Sequence, residues 1–195
     1  PPPKGTGRSH FLTAITRIDD QLVEILDVER VLADIIPYNT RVSDSVLDSD
    51  LVIEARRRKL KILLAEDSPT AVKQVRETLG NLGIEVLSVQ DGLQALTHLR
   101  QWVAAGRNVT EEILMLVTDA EMPEMDGYRL TAEVRKDPSL KDLYVVLHTS
   151  LSGSFNKAMV EKVGCNDFLS KFQPDELATV VQKRLREFLG VNRKS

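Results

Sequence analysis

From Leu60 onward, five short apolar runs alternate with stretches of helical period, and each of four runs ends beside a group able to do chemistry. The runs are Leu60–Ala65, Ile84–Val89, Ile113–Val117, Leu143–Leu147 and a short one around Phe168. Between them, Val72, Val75, Leu79 and Leu82 share one helical face, and helices are expected over Asp91–Ala105, Gly127–Arg135 and near Asn156–Val163. A last helix fits Pro174–Leu189, with Pro174 suited to a first turn and Gly190 to a stop. Strands that alternate with helices pair in parallel and take helices on both faces. Such a sheet carries whatever follows each strand to one common edge.

Composition narrows the function classes. Apolar residues make up 42% of 195 and charged ones 28%, enough for a core and unlike a disordered chain. Lys+Arg number 26 against 29 Asp+Glu, a net charge of −3, which argues against a nucleic-acid or anionic-membrane partner. The single cysteine, Cys165, excludes an internal disulfide and a multi-cysteine zinc site. No apolar run is long enough to insert in a membrane and no secretory signal pattern opens the chain, so the expected compartment is the cytoplasm. A start at Pro1-Pro2-Pro3 reads as a piece cut from something longer.

Residues 1–59 follow another pattern. Phe11–Ile18 and Gln21–Leu26 read as two strands joined at Asp19-Asp20, and Val28–Ile36 as a short helix ended before Pro37. A lone hairpin is marginal in water. Its apolar face should therefore be disordered, pack on the remainder, or pair with a second chain as a homodimer. Residues 37–59 read as a polar linker whose Arg56–Lys59 run is its solvated end. The expected division is 1–36, a linker over 37–59, an α/β domain over 60–190, and a tail over 191–195.

At the shared edge the sequence gathers Glu66 and Asp67 after the first run, Asp119 after the third, Thr149 and Ser150 after the fourth, and Lys171 after the fifth. Each has a plainer reading alone: Asp67 before Ser68-Pro69 suits a helix cap, Thr149 a loop hydroxyl, Lys171 a surface charge. Their recurrence at successive strand ends favours a joint site. Clustered carboxylates repel unless a cation sits among them, and a small hard ion such as Mg²⁺ takes one or two carboxylates plus phosphate oxygen. Lys171 and Thr149 would then hold phosphate oxygens, leaving Asp119 as a carboxylate nucleophile able to form an acyl phosphate.

These residues resemble the receiver domains of two-component response regulators over about Leu60–Leu189. The resemblance rests on Leu63-Leu64-Ala65-Glu66-Asp67-Ser68, on Asp119 through Met125-Asp126-Gly127, on Leu147-His148-Thr149 and on Asp167-Phe168-Leu169-Ser170-Lys171. It implies a flavodoxin-like five-stranded parallel sheet in the order 2-1-3-4-5. It also implies Asp119 as phosphoacceptor from a kinase phosphohistidine, Asp67 as a direct Mg²⁺ ligand, Glu66 as one through water, and the Glu121 carbonyl completing the shell. Thr149 would move toward the phosphoryl group and Phe168 would change rotamer with it, remodelling the face made by the fourth helix, fifth strand and fifth helix.

Four departures stand out. Phe172 follows Lys171 where many receivers have proline; were that bond cis, a non-proline residue would cost about 3 kcal/mol. Arg100–Glu112 is longer than in compact receivers, adding helix near Trp102, which reads as a packing residue. Ser150 and Glu121 stand where they would change the lifetime of the acyl phosphate.

The upstream stretch Phe11–Glu29 is similar to the closing part of a CheW-like coupling domain, and a coupling domain before a receiver is the layout of the CheV family. That resemblance implies a phosphorylation-regulated chemotaxis adaptor whose partners are a CheA-like histidine kinase and chemoreceptors. Other readings remain open. One is a phosphate sink for the kinase. Another is a haloacid-dehalogenase-like phosphatase, imitated by Asp119-Ala120-Glu121, although such enzymes carry their remaining metal acids downstream rather than at Glu66-Asp67. A third is a truncated DNA-binding response regulator, for which the charge is wrong and little chain follows the last helix.

Overall fold

The computed structural model describes residues 12–19, 21–26, 31, 40–149 and 163–191. Two units divide the chain, residues 1–38 and 39–195. In the first, β1 (Leu12–Ile18) and β2 (Gln21–Leu26) form an antiparallel hairpin with Ile18 opposite Gln21 and Asp19 at φ 47°. Ile15, Ile18 and Leu22 are exposed. Apart from Val31 and Val163, the expected helices at Val28–Ile36 and Asn156–Val163 lie outside the described residues, as do Phe11 and Ser150.

The second unit runs α1 (Ser49–Arg58), β3 (Lys61–Ala65), α2 (Pro69–Asn81), β4 (Glu85–Val89), α3 (Gly92–Ala104), α4 (Val109–Glu112), β5 (Ile113–Asp119), α5 (Gly127–Lys136), β6 (Val145–Thr149), β7 (Asp167–Ser170) and α6 (Pro174–Leu189). The five strands form a parallel sheet in the order β4-β3-β5-β6-β7. This is the flavodoxin-like arrangement expected. All seven residues of β5 are buried, as a central parallel strand covered on both faces requires. Alternation along the strands divides the core. Ile62, Leu64, Val117 and Val146 join Val75, Leu79, Val181 and Leu185 on one side, while Leu63, Leu116 and Val145 meet Leu96, Leu99, Leu130 and Val134 on the other.

The helices start where their caps dictate. Ser68, Asp91 and Asp126 accept from the backbone amides of Ala71, Gln94 and Arg129 at 3.4, 2.8 and 2.7 Å. Gly190 ends α6 in the left-handed region, as its position suggests. Trp102 packs beside the Leu96–Leu99 core with the Arg107 guanidinium 5.0 Å over its ring, and Arg107 pairs with Glu112. The insertion at Arg100–Glu112 is thus closed upon itself by packing.

Residues 40–58 correct the linker reading. Val42, Leu51 and Ala55 are buried with the α2–α6 core, so their sparse spacing marks one helical stripe and a leading turn rather than a solvated chain. Asp48 caps α1, accepting from Leu51 N at 3.3 Å, while its amide donates to Gln182 Oε1 at 2.7 Å and its carboxylate meets Arg186 at 2.9 Å. Ser43 donates from both amide and hydroxyl to Asp175, at 2.8 and 2.7 Å. Thr40 O accepts from Asn81 Nδ2 at 3.1 Å. The basic run is the last turn of α1, where cations suit the carbonyl end, and Arg57 and Arg58 both pair with Glu54.

Candidate functional site

Parallel pairing brings the tips of β3, β5, β6 and β7 to one edge. Asp119 is the last residue of β5 and Thr149 the last of β6, each two positions further along than the apolar runs indicate, because the strands continue through their polar ends. Both side chains are buried, as is Lys171 just beyond β7. Glu66, directly after β3, is buried too, while Asp67 is exposed. The cap of α2 is Ser68, not Asp67, which leaves the Asp67 carboxylate for the cluster.

The Lys171 ammonium bridges two of these acids, 2.9 Å from Asp119 Oδ2 and 3.0 Å from Glu66 Oε1. Carboxylate oxygens of Glu66, Asp67 and Asp119 lie within 4.8 Å of one another. Three formal negative charges thus face one positive charge. This surplus, offered entirely by oxygen donors, matches what a hard divalent cation such as Mg²⁺ takes. Residues Glu66, Asp67 and Asp119 can hold such an ion; the described contacts do not involve the Glu121 carbonyl. The Glu121 amide does approach Asp119 Oδ1, at 3.4 Å.

The backbone holds these groups in register. Lys171 N donates to Thr149 O at 2.9 Å, so the turn bearing the ammonium is stitched to the strand tip bearing the hydroxyl. Asp119 stands opposite His148 in the β5–β6 ladder, and Leu147 opposite Phe168 in β6–β7. Phe168 is half-buried with Tyr128 and Cys165 against Ala120 and Leu147. No described peptide bond is cis; the turn after Lys171 places Phe172 in the left-handed region at φ 66°. Such a conformation is uncommon for a bulky residue and holds only where the surroundings impose it.

Two features escaped the sequence reading. A Cβ on Gly127 would collide with the backbone oxygen of Asp119, so only glycine lets α5 begin this close to the Asp119 peptide. His148 is fully buried, and burial, reinforced by the Lys171 charge, pushes its imidazole down to about 3, so it is neutral at ordinary pH. In the sequence it stands only within Leu147-His148-Thr149; strand alternation away from Thr149 is the available signal that it faces the other side of the sheet.

Comparison with known proteins follows the same lines. The family described as "response regulator receiver domain" matches residues 62–182. Chemotaxis protein CheV1 of Helicobacter pylori is 29% identical over 93% of this chain and 54% of its own length, so the chain spans about half of that relative. Chemotaxis protein CheY1 of the same organism is 31% identical over 68% of this chain and 99% of its own. Among solved structures, the receiver domain of a Pseudomonas aeruginosa sensor histidine kinase superposes with a TM-score of 0.54 at 27% identity, covering 65% of this chain and 97% of its own; it holds a magnesium ion in its active-site cleft. Among the described residues no helix is long and apolar enough to cross a membrane.

Proposed function

Because the chain belongs to the response regulator receiver domain family, we propose that Asp119 accepts a phosphoryl group from the phosphohistidine of a CheA-like kinase. A carboxylate oxygen of Asp119 attacks phosphorus, the N–P bond to imidazole breaks, and the released nitrogen takes up a proton. The observation that carries this reading is the Lys171 ammonium held between Asp119 and Glu66 beside a third carboxylate. Mg²⁺ bound by Glu66, Asp67 and Asp119 supplies charge neutralisation for the incoming phosphoryl oxygens.

The chain's own groups do the rest. Glu66, Asp67 and Asp119 confine the negative charge to one spot, which is costly without a cation and therefore selects a metal-bound state. Lys171, freed from Asp119 as that carboxylate becomes an acyl phosphate, is placed to meet a phosphoryl oxygen. Thr149 offers a hydroxyl from the neighbouring strand tip, and its movement releases space into which Phe168 turns. The Glu121 carbonyl is proposed as a further metal ligand.

Similarity to the CheV proteins along nearly the whole chain supports a chemotaxis adaptor in which the receiver tunes the coupling of chemoreceptors to the kinase, in the cytoplasm. A segment that is similar to the end of a coupling domain favours this over a phosphate sink, which needs no upstream unit.

The test is incubation with acetyl phosphate, or beryllofluoride, in the presence of Mg²⁺. Asp119 should be modified, Asp119→Asn should abolish the modification, and chelation should prevent it. Incorporation that survives unchanged in Asp119→Asn overturns the assignment. Kinase activity in receptor arrays, with and without the phosphorylated protein, separates tuning from drainage.

A further inference from the structure

Behind the strand tips, on the side of the sheet away from Phe168, a small, partly open cleft lies between α2, β6 and the turn into α6. Its walls include Gln74, Thr78, His148, Phe172, Pro174 and Leu177, and it leaves about 10 Å³ for the centre of a water molecule, room for a single one. Two of the residues that line it, His148 and Gln74, each carry a buried atom, Nδ1 and Oε1, with no hydrogen-bond partner among the described residues. The two residues are 3% and 5% exposed. A buried polar atom left unsatisfied is costly, and two in one cavity of this size point to a common partner.

We propose that His148 and Gln74 hold one internal water, and that this hydrated gap is a positioning device for Lys171, giving the Phe172–Pro174 turn room to move when the ammonium leaves Glu66 and Asp119 for a phosphoryl oxygen. The water donates one hydrogen to Gln74 Oε1 and meets Nδ1 with its oxygen or its other hydrogen, according to the tautomer. Hydration suits a gap that must change shape, since a water can shift or leave where a packed side chain cannot. The turn it faces begins at Lys171 and passes through the left-handed Phe172. Lys171 is tied by its own amide to Thr149, the residue after His148. The wall of the gap and the two groups proposed to grip the phosphoryl group therefore lie on two neighbouring segments, the end of β6 and the turn after β7, joined by that hydrogen bond.

This inference rests on the proposed role of Asp119, and its experiment separates the two. His148→Phe, Gln74→Leu and the double variant replace polar atoms by apolar ones of similar size. Removing both partners together is close to neutral for stability, so the double variant should unfold at or above the parent's urea midpoint at pH 8. Its phosphorylation by acetyl phosphate should nevertheless slow by about threefold to tenfold, with Mg²⁺ affinity unchanged. The two single effects should fail to add, because both act through the same water. A high-resolution crystal structure of the parent should show the water between Nδ1 and Oε1. A dry cavity, a direct Nδ1–Oε1 bond, or unaltered phosphorylation in the double variant overturns the inference and leaves the acceptor role intact. Failure of the parent to be modified at Asp119 overturns the acceptor role, and the water then stands only as structure.

Discussion

His148 makes stability depend on acid in a calculable way. In the fold its imidazole is held at about 3, against 6.5 for an unperturbed histidine. Between those values the unfolded chain binds a proton that the folded chain refuses, so lowering the pH favours unfolding. The contribution is complete above the unfolded value and is lost progressively as the pH falls toward the folded one. From pH 8 to pH 5 the loss amounts to about 2 kcal/mol, since the unfolded imidazole is then about 30-fold more protonated than free while the folded one is almost wholly neutral. At pH 4 it reaches about 3 kcal/mol. For a unit of this size 2 kcal/mol corresponds to a melting shift of about 4–8 °C.

Carboxylates also titrate in this range, so the measurement is a difference between parent and His148→Phe. Trp102, the chain's single tryptophan, sits in α3 against the receiver core and reports unfolding of that unit alone. Urea titrations followed by its fluorescence at pH 8, 6.5 and 5 give the two stabilities, and the carboxylate contributions cancel in their difference. The parent should lose about 2 kcal/mol more than the variant on going to pH 5. Equal losses would refute the reasoning, because they would mean that the folded imidazole accepts its proton as readily as the unfolded one.

Leu51→Ala should destabilise the receiver unit by about 2–3 kcal/mol in the same assay, whereas a solvated linker position would move it by less than about 0.5 kcal/mol. Gly127→Ala forces a methyl group onto the Asp119 carbonyl and should cost about 1–3 kcal/mol; it should also weaken Mg²⁺ binding by displacing the Asp119 backbone, and wild-type Mg²⁺ affinity would contradict that geometry. Beryllofluoride with Mg²⁺ should speed amide hydrogen exchange at Ser43 by about fivefold to tenfold, the worth of one hydrogen bond; unchanged protection there would show that the β7–α6 turn does not move relative to residues 40–48.

The sheet and the convergence of acidic groups and Lys171 at one edge were legible because both rest on strong periodic signals. Ile113–Val117 is too apolar to be anything but buried, and parallel pairing fixes which edge receives Glu66, Asp119 and Lys171. Strand ends were harder, because Thr118, Asp119, His148 and Thr149 are polar residues that the ladder nonetheless retains. Residues 40–58 misled through composition: one helical stripe of Leu51 and Ala55 with Val42 ahead of it is thin beside Arg56–Lys59, and what buries it is an α2–α6 groove that no local pattern displays. Gly127 and the His148–Gln74 gap were invisible for a related reason. Each depends on an approach between segments distant in sequence, and only the assembled backbone reveals that distance.

The charge inventory of the site links that groove to the chemistry. Lys171 answers two carboxylates at 2.9 and 3.0 Å, so it is held in place chiefly by Asp119 and Glu66. In the proposed reaction, phosphorylation would convert the Asp119 carboxylate that Lys171 now meets into an acyl phosphate, setting a group of greater negative charge further out and redirecting the ammonium. Lys171 cannot shift without its turn, and the turn runs through Phe172 and Pro174 into Asp175. The Asp175 carboxylate is held below the usual carboxylate range by the amide and hydroxyl of Ser43. A change of charge at position 119 therefore bears, within one short turn, on the segment that leads back to the upstream unit. In the proposed adaptor, that segment would carry the receiver's state along the chain toward the upstream unit. A passive linker would give the proposed adaptor no means of reading it; a strap bonded to the first turn of α6 does.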